Sequence, residues 1–581
     1  MSEARLAPEP DELLPRERIL ARLVFLYGEA AAPGIADRLE ALVANHLGAR
    51  ERVYAPPCWD EASAVLITYG DSIQSPSELP LRTLREFLTH HLEGAFSAVH
   101  ILPFFPFSSD DGFSITDYRA VRSDLGDWPD IQAIAEDFDV MADLVLNHCS
   151  RENLWFIDFI EDKAPGKDYF IEVDPQANFS DVVRPRSTPL LSKVRTPHGM
   201  KHVWATFSND QIDLNFANPD VLLAFVDILL FYLRMGTRIV RLDAVAFLWK
   251  IIGTSCIHLP QTHEVVKLFR DIFDAVEPGC LLLTETNVPN AENLSYFGDG
   301  DEAQMIYQFS LPPLLLHALY SGSARHLNEW ARELTEPPAG CTYLNFTASH
   351  DGVGLRPLEG LIPVDELNAM LDDMRARGGY ISTRRNKDGT DTPYELNISY
   401  FDACGTGPGD ALKIARFLLS QTLAMSLKGV PAVYVHSLVA TPNDHIGVER
   451  TGMTRSINRR KLDIFELERR IADRSTETSQ VFHEYLRRLE VRSELLAFHP
   501  DGDQALLDFG DDLFVLLRTA PDESERILCV FNMTPFHKTL EWPKELEAAP
   551  RFVPDLLSGR QVRLEDGELA LGAYACHWLR V

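Results

Sequence analysis

Four segments of the chain end an apolar run in side chains that a packed strand does not need: ADLVLNH (142–148), RIVRLDAV (238–245), LLLTETN (281–287) and NFTASHD (345–351). Charged groups are expensive to bury unless paired, so several at the same end of one sheet point to a site. Any single carboxylate among them reads more simply as the cap of a following helix. Together, Asp243, Glu285, Asp351, His148, His350 and Arg241 meet the demands of retaining glycoside cleavage. That reaction uses one ionised carboxylate to attack the sugar carbon and a second, protonated one to donate to the leaving oxygen. Arg241 precedes Asp243 by two residues, on the same strand face, where a guanidinium would hold Asp243 ionised. Glu285 closes an apolar run, and desolvation there would raise its pKa towards an acid's role.

Such groups converge only if the elements carrying them are neighbours. Apolar stretches of strand length recur at 65–69, 98–105, 140–146, 238–245, 280–284, 305–309, 343–347 and 430–435, with amphipathic helical stretches such as 219–235 and 262–276 between them. Fully apolar strands alternating with helices imply a parallel sheet covered on both faces, and eight such units close a barrel with its active site at the strand C-termini. The expected fold class is therefore α/β, a (β/α)8 TIM barrel over residues 61–495. A helical extension is expected over 1–60, with helices at 11–26 and 35–45, and an antiparallel β domain over 496–581, where short alternating runs are separated by turns. Two intervals, 149–215 and 358–402, are too long for ordinary loops, are rich in Pro, Asp, Gly and Ser, and follow strand ends. Both should overhang the active site.

Composition removes other classes. Hydrophobic residues at 45% and charged residues at 24% are those of a soluble globular chain, and 581 residues exceed what one core serves. The longest apolar stretch, 221–233, contains Asp227 and is followed by Arg234, so no membrane span is expected; the N-terminus lacks the apolar core of a secretory signal, which points to the cytoplasm. Eight singly scattered cysteines read as reduced thiols rather than a zinc site or disulfide framework. A net charge of −31 argues against nucleic acid or an anionic membrane as partner. Monomer and homodimer both remain open.

In order and content the four segments resemble the α-amylase family of glycoside hydrolases, and RLDAVAF…GTSC (241–247, 253–256) with ITYGDSI (67–73) resembles its sucrose phosphorylase branch. The resemblance runs from about residue 64 to the end. It implies that Asp243 is the nucleophile, Glu285 the general acid/base and Asp351 the third carboxylate, which binds ring hydroxyls and stabilises the transition state. It implies that His148, His350 and Arg241 bind the glucosyl unit, with Asp110 on its far hydroxyls and Phe113 as a platform (SDDGF, 109–113), and that INRR (457–460) brings in Arg459. Phe207 and Gln211, from TFSNDQIDLN (206–215), match acceptor-side positions, and 149–215 corresponds to the family's domain B and 358–402 to its domain B′. This branch is generally metal-free, so no metal and no cofactor are expected.

Hydrolysis and phosphorolysis differ in what attacks the glucosyl enzyme, and phosphate calls for fixed cations. Two loops break the acidic trend: RPR (184–186) and STRRNKDG (382–389). Each alone reads as a solvated basic patch; against a charge of −31 the pair favours anion binding. In the resembled branch the positions of Arg186 and Tyr394 are linked to exchange of phosphate and acceptor. PYELN (393–397) departs from the sucrose enzymes, which usually carry glutamine at the position of Glu395, and with the N-terminal extension and RRNKDG it looks more like glucosylglycerate phosphorylases. The expected activity is hexosyl transfer: reversible phosphorolysis of 2-O-α-D-glucosyl-D-glycerate, with inorganic phosphate as co-substrate and glycerate held by Arg384, Arg385 or Lys387. Phosphorolysis of sucrose, glucosylglycerol or sucrose 6-phosphate, and hydrolysis or transglucosylation, are the alternatives.

Overall fold

Each apolar run finds its neighbour in the order in which the chain makes it. The computed structural model describes residues 14–48, 59–386, 390–546 and 549–581. In it, β1 (Val65–Thr68), β2 (Ala98–Ile101), β3 (Asp139–Val145), β4 (Thr237–Asp243), β5 (Leu281–Thr284), β6 (Met305–Tyr307), β7 (Thr342–Phe346) and β8 (Val430–Tyr434) form a closed parallel barrel in which β8 pairs back onto β1. The expected (β/α)8 class is the one found. All strand residues of β5, β6, β7 and β8 are buried, as strands covered on both faces must be. Between β3 and β4 the helix Pro219–Arg234 starts on a capping Asn218 side chain with proline in its first turn. Helix Pro260–Val276 follows β4 and also begins on a proline.

Register sets the height of the chemistry. Asp143 of β3 lies opposite Arg241 of β4, and Leu242 of β4 opposite Thr284 of β5. Asp243 and Glu285, each one residue further on, therefore emerge side by side at the C-terminal rim. The two long insertions also leave from this rim. In the first, His148–Ser150 pairs antiparallel with Gln211–Asp213, closing the base of a lobe that holds the hairpin Leu191–Thr196 with Gly199–Trp204. In the second, after β7, helix Val364–Ala376 leads into a small sheet of Val353–Gly354, Asp391–Asn397 and Tyr380–Arg385.

Helices Arg16–Tyr27 and Ala32–Leu47 represent the N-terminal extension; the remainder of 1–60 that is not described falls at 1–13 and 49–58. They lie on the barrel helices, where buried Arg22 donates to Asp271 at 2.7 Å and Tyr27 to the Phe216 carbonyl at 2.9 Å. The C-terminal segment forms a six-stranded antiparallel sheet docked through Trp578, whose indole donates to Ser426 Oγ at 2.8 Å. Among the described residues no helix is long and apolar enough to cross a membrane, and Cys149, Cys256, Cys404 and Cys529 are buried thiols.

One buried side chain joins these parts. Arg492, 1% exposed, makes no close ion pair among the described residues; its guanidinium donates to the carbonyls of Met425, Gly429, Phe498, Ser63 and Glu61. Burial and neighbouring Arg518 pull its pKa down to about 9. Arg492→Leu would strand several carbonyls away from water, each worth about 1–3 kcal/mol, so the unfolding midpoint should fall by the equivalent of at least about 3 kcal/mol in chemical denaturation.

Candidate active site

Arg241 stands at the centre of the barrel mouth, almost wholly buried, and its Nη1 donates to Asp143 Oδ1 at 2.5 Å and to Asp243 Oδ1 at 2.8 Å. Its Nη2 lies 3.9 Å from Glu285 Oε2. Behind it, His100 Nε2 is 2.8 Å from Asp143 Oδ2. Burial opposes charge on Asp143, but Arg241 and His100 hold its pKa down to about 2. Asp243 fares differently: burial is the largest influence and raises it to about 6, the Asp143 and Asp351 carboxylates adding to the rise and Arg241 only partly offsetting it. Arg241 thus favours the ionised form of Asp243, as expected, but burial outweighs it and the guanidinium is shared with Asp143. Glu285 rises further, to about 7, through burial and the neighbouring Asp243 and Asp351, against Arg241. Its Oε2 accepts the Ala244 N–H at 3.0 Å, offered by a left-handed backbone turn (φ 50°) directly after Asp243.

Asp351, beyond β7, faces Arg455 Nη1 at 2.6 Å, with His350 at 3.6 Å and Arg459 Nη2 at 3.8 Å. Against the effect of burial, Arg455 and Arg459 hold it well below the usual carboxylate range. Asp110, in a left-handed turn, accepts from Gln211 Nε2 at 3.0 Å; burial opposes its charge, but Arg455, Arg186 and Arg459 keep its pKa low. Burial depresses the His350 imidazole to about 3, so this ring is neutral, and its Nδ1 has no partner among the described residues. His148 Nε2 contacts the Phe113 carbonyl at 2.9 Å.

These groups surround one cavity, whose wall includes Asp110, Phe113, His148, Arg186, Phe207, Gln211, Asp243, Glu285, His350, Asp351, Tyr394 and Arg455. Arg241 lies beneath it. The cavity thus has one end walled by carboxylates and imidazoles on strand ends, and another walled by Arg186, Tyr394 and Phe207 from the insertions. Arg186 sits over the Tyr394 ring at 5.9 Å, and among the described residues no carboxylate lies within ion-pair reach of it.

The α-amylase catalytic-domain model matches residues 92–351. A glucosylglycerate phosphorylase of Spirochaeta thermophila is 44% identical, over 97% of this chain and 98% of its own length. One from Allomeiothermus silvanus is 46% identical, over 89% and 93%. The chain belongs to the sucrose phosphorylase branch of the α-amylase family. In three dimensions it superposes on a sucrose 6F-phosphate phosphorylase from Thermoanaerobacter thermosaccharolyticum with a TM-score of 0.71 at 26% identity, covering 84% of this chain and 95% of the other.

Several assigned residues take other positions than the sequence suggested. Glu395, 1% exposed, faces Arg455 at 3.0 Å and the Gly352 N–H at 2.5 Å, so it positions Arg455 instead of lining the cavity. Arg384 pairs with Glu359 at 2.8 Å, away from the cavity wall; the Arg385 side chain and Lys387 lie outside the described residues. Arg459 is turned to Asp111 and to the His350 carbonyl, and Phe113 stacks on His350 with centroids 4.9 Å apart. Arg455 and Asn287 line the cavity and were not singled out from sequence, and neither was Asp143 beneath it. The run containing INRR held the signal for Arg455, four residues before Arg459. The oxygens of Asn147 and Asp213 are both met at 2.6 Å by the Lys250 ammonium, which gives that pair an internal cation.

A carboxyl raised to about 7 contributes stability that is present below its unfolded value and lost as pH rises through the folded one. Glu285→Gln should therefore raise the unfolding midpoint relative to the parent protein, by little at pH 5 and by roughly 2–3 kcal/mol at pH 8.

Proposed function

We propose that this protein is a retaining α-glucosyl phosphorylase that reversibly converts 2-O-α-D-glucosyl-D-glycerate and phosphate into α-D-glucose 1-phosphate and D-glycerate. Protonated Glu285 donates to the glycosidic oxygen while the Asp243 carboxylate attacks the anomeric carbon; glycerate leaves and a glucosyl ester of Asp243 remains. A phosphate oxygen then attacks the same carbon, ionised Glu285 takes the phosphate proton, and Asp243 is released. Two inversions retain the α configuration. Arg241 and Asp351 stabilise the positive sugar ring and fix its hydroxyls, with His148, His350 and Asp110 as further polar partners. No step calls on a metal or cofactor, and the buried thiols suit a cytoplasmic setting.

The observation that carries phosphorolysis is Arg186, a cation on the wall of the cavity that holds Asp243 and Glu285, which makes no close ion pair among the described residues. Glycerate and phosphate are both anions, and each must occupy the ground next to Glu285 at a different stage. One guanidinium can serve them in turn. The names of the relatives at 44–46% identity favour glycerate over fructose.

The deciding experiment supplies α-glucose 1-phosphate with glycerate, fructose or glycerol and measures released phosphate. Release that depends on glycerate is expected; equal release without any acceptor would show a hydrolase. Asp243→Ala should abolish turnover with every acceptor. Arg186→Ala should raise KM for phosphate and for glycerate together, roughly 10- to 100-fold for the loss of a charge-assisted contact, with hydrolysis of the glucosyl enzyme gaining ground.

Because Asp243 must be ionised, activity should rise with pH through about 6; because Glu285 must be protonated, it should fall through about 7. The expected kcat/KM profile is a narrow bell whose apparent values belong to the pair, and Glu285→Gln should lose the alkaline limb along with most of the rate.

A further inference from the structure

On the outside of the barrel, away from the cavity, three helices bring two imidazoles and a carboxylate to one point. His317 comes from Leu311–Ser321, His326 from Arg325–Arg332 and Glu366 from Val364–Ala376. Their ligand atoms all lie within 4.8 Å of one another. His317 Nε2 and His326 Nε2 both approach Glu366 Oε2, at 3.3 Å and 2.9 Å. A tetrahedral zinc ion with bonds of about 2.0–2.1 Å separates its ligand atoms by about 3.3 Å, so little movement would be needed to seat one.

A second feature sets this cluster apart from an ordinary hydrogen-bonded trio. The other ring nitrogen of His326, Nδ1, lies 3.3 Å from Glu329 Oε2. A carboxylate on the far nitrogen of a metal-bound imidazole fixes the tautomer and orients the ring. His317 is 3% exposed, while Glu366 is partly open to solvent, which leaves a water-accessible fourth position.

We propose that His317, His326 and Glu366 form a binding site for a divalent transition-metal ion of the zinc type, for which two imidazoles and one carboxylate are suitable donors. An ion there would tie together the two helices between β6 and β7 and the helix that leads into the Tyr380–Arg385 and Asp391–Asn397 hairpin. That hairpin carries Tyr394 and Glu395. The site is therefore placed to brace the second insertion from behind, without touching the cavity.

The test titrates zinc into EDTA-stripped full-length protein by calorimetry, beside His326→Ala and Glu366→Gln, two partly exposed positions whose replacement leaves the core intact. The parent protein should bind one zinc equivalent more than either variant, or bind that equivalent at least about tenfold more tightly, and its thermal midpoint should rise with zinc where theirs does not. Equal stoichiometry and affinity in all three proteins, or an unchanged midpoint in the parent, would overturn the proposal.

Discussion

A single buried guanidinium organises the barrel mouth. Arg241 faces three carboxylates, and their claims on it are unequal: Asp143 and Asp243 accept from the same Nη1, while Glu285 stands 3.9 Å off. Burial raises both catalytic carboxyls and the shared guanidinium offsets the rise only in part, leaving Asp243 near 6 and Glu285 near 7, an ordering that suits one attacking base and one acid. Asp143 does not line the cavity, yet it draws on the same guanidinium and its charge adds to the rise of Asp243.

The arrangement follows from strand register. Asp143 opposite Arg241, and Leu242 opposite Thr284, are consequences of how β3, β4 and β5 slide against one another when the barrel closes. A shift of one residue would bury Asp243 among apolar neighbours or turn Arg241 outward. The left-handed Ala244 then stores a small local strain, of order 1 kcal/mol, to aim its N–H at Glu285. Rigid strand ends thus hold one side of the cavity, while the insertions supply the other.

What the sequence reveals divides along the same line. The barrel was legible because its strands are apolar on both faces, and Asp243, Glu285 and Asp351 because each interrupts such a run at its end. Arg455 was not, since its meaning lies in partners 60 residues away at Glu395 and far beyond at Asp351. Arg384 was misplaced for the same reason in reverse: a basic run in an acidic chain looks available for an anion, and its partner Glu359 sits 25 residues earlier with nothing local to reveal it. Periodicity reports burial well; it says little about which charge a loop folds back upon.

The contact between Arg186 and Tyr394 connects these points. Arg186 belongs to the first insertion and Tyr394 to the second, so this part of the cavity wall is built where the two insertions meet. In the proposed scheme glycerate must leave before phosphate enters, and both need that wall, whereas the glucosyl group stays bound to Asp243 throughout. Ligand exchange is then a matter of parting and rejoining two loop elements over a strand-borne intermediate. Water can attack whenever they part, and the balance between phosphorolysis and hydrolysis becomes a question of how quickly Arg186 returns with an anion.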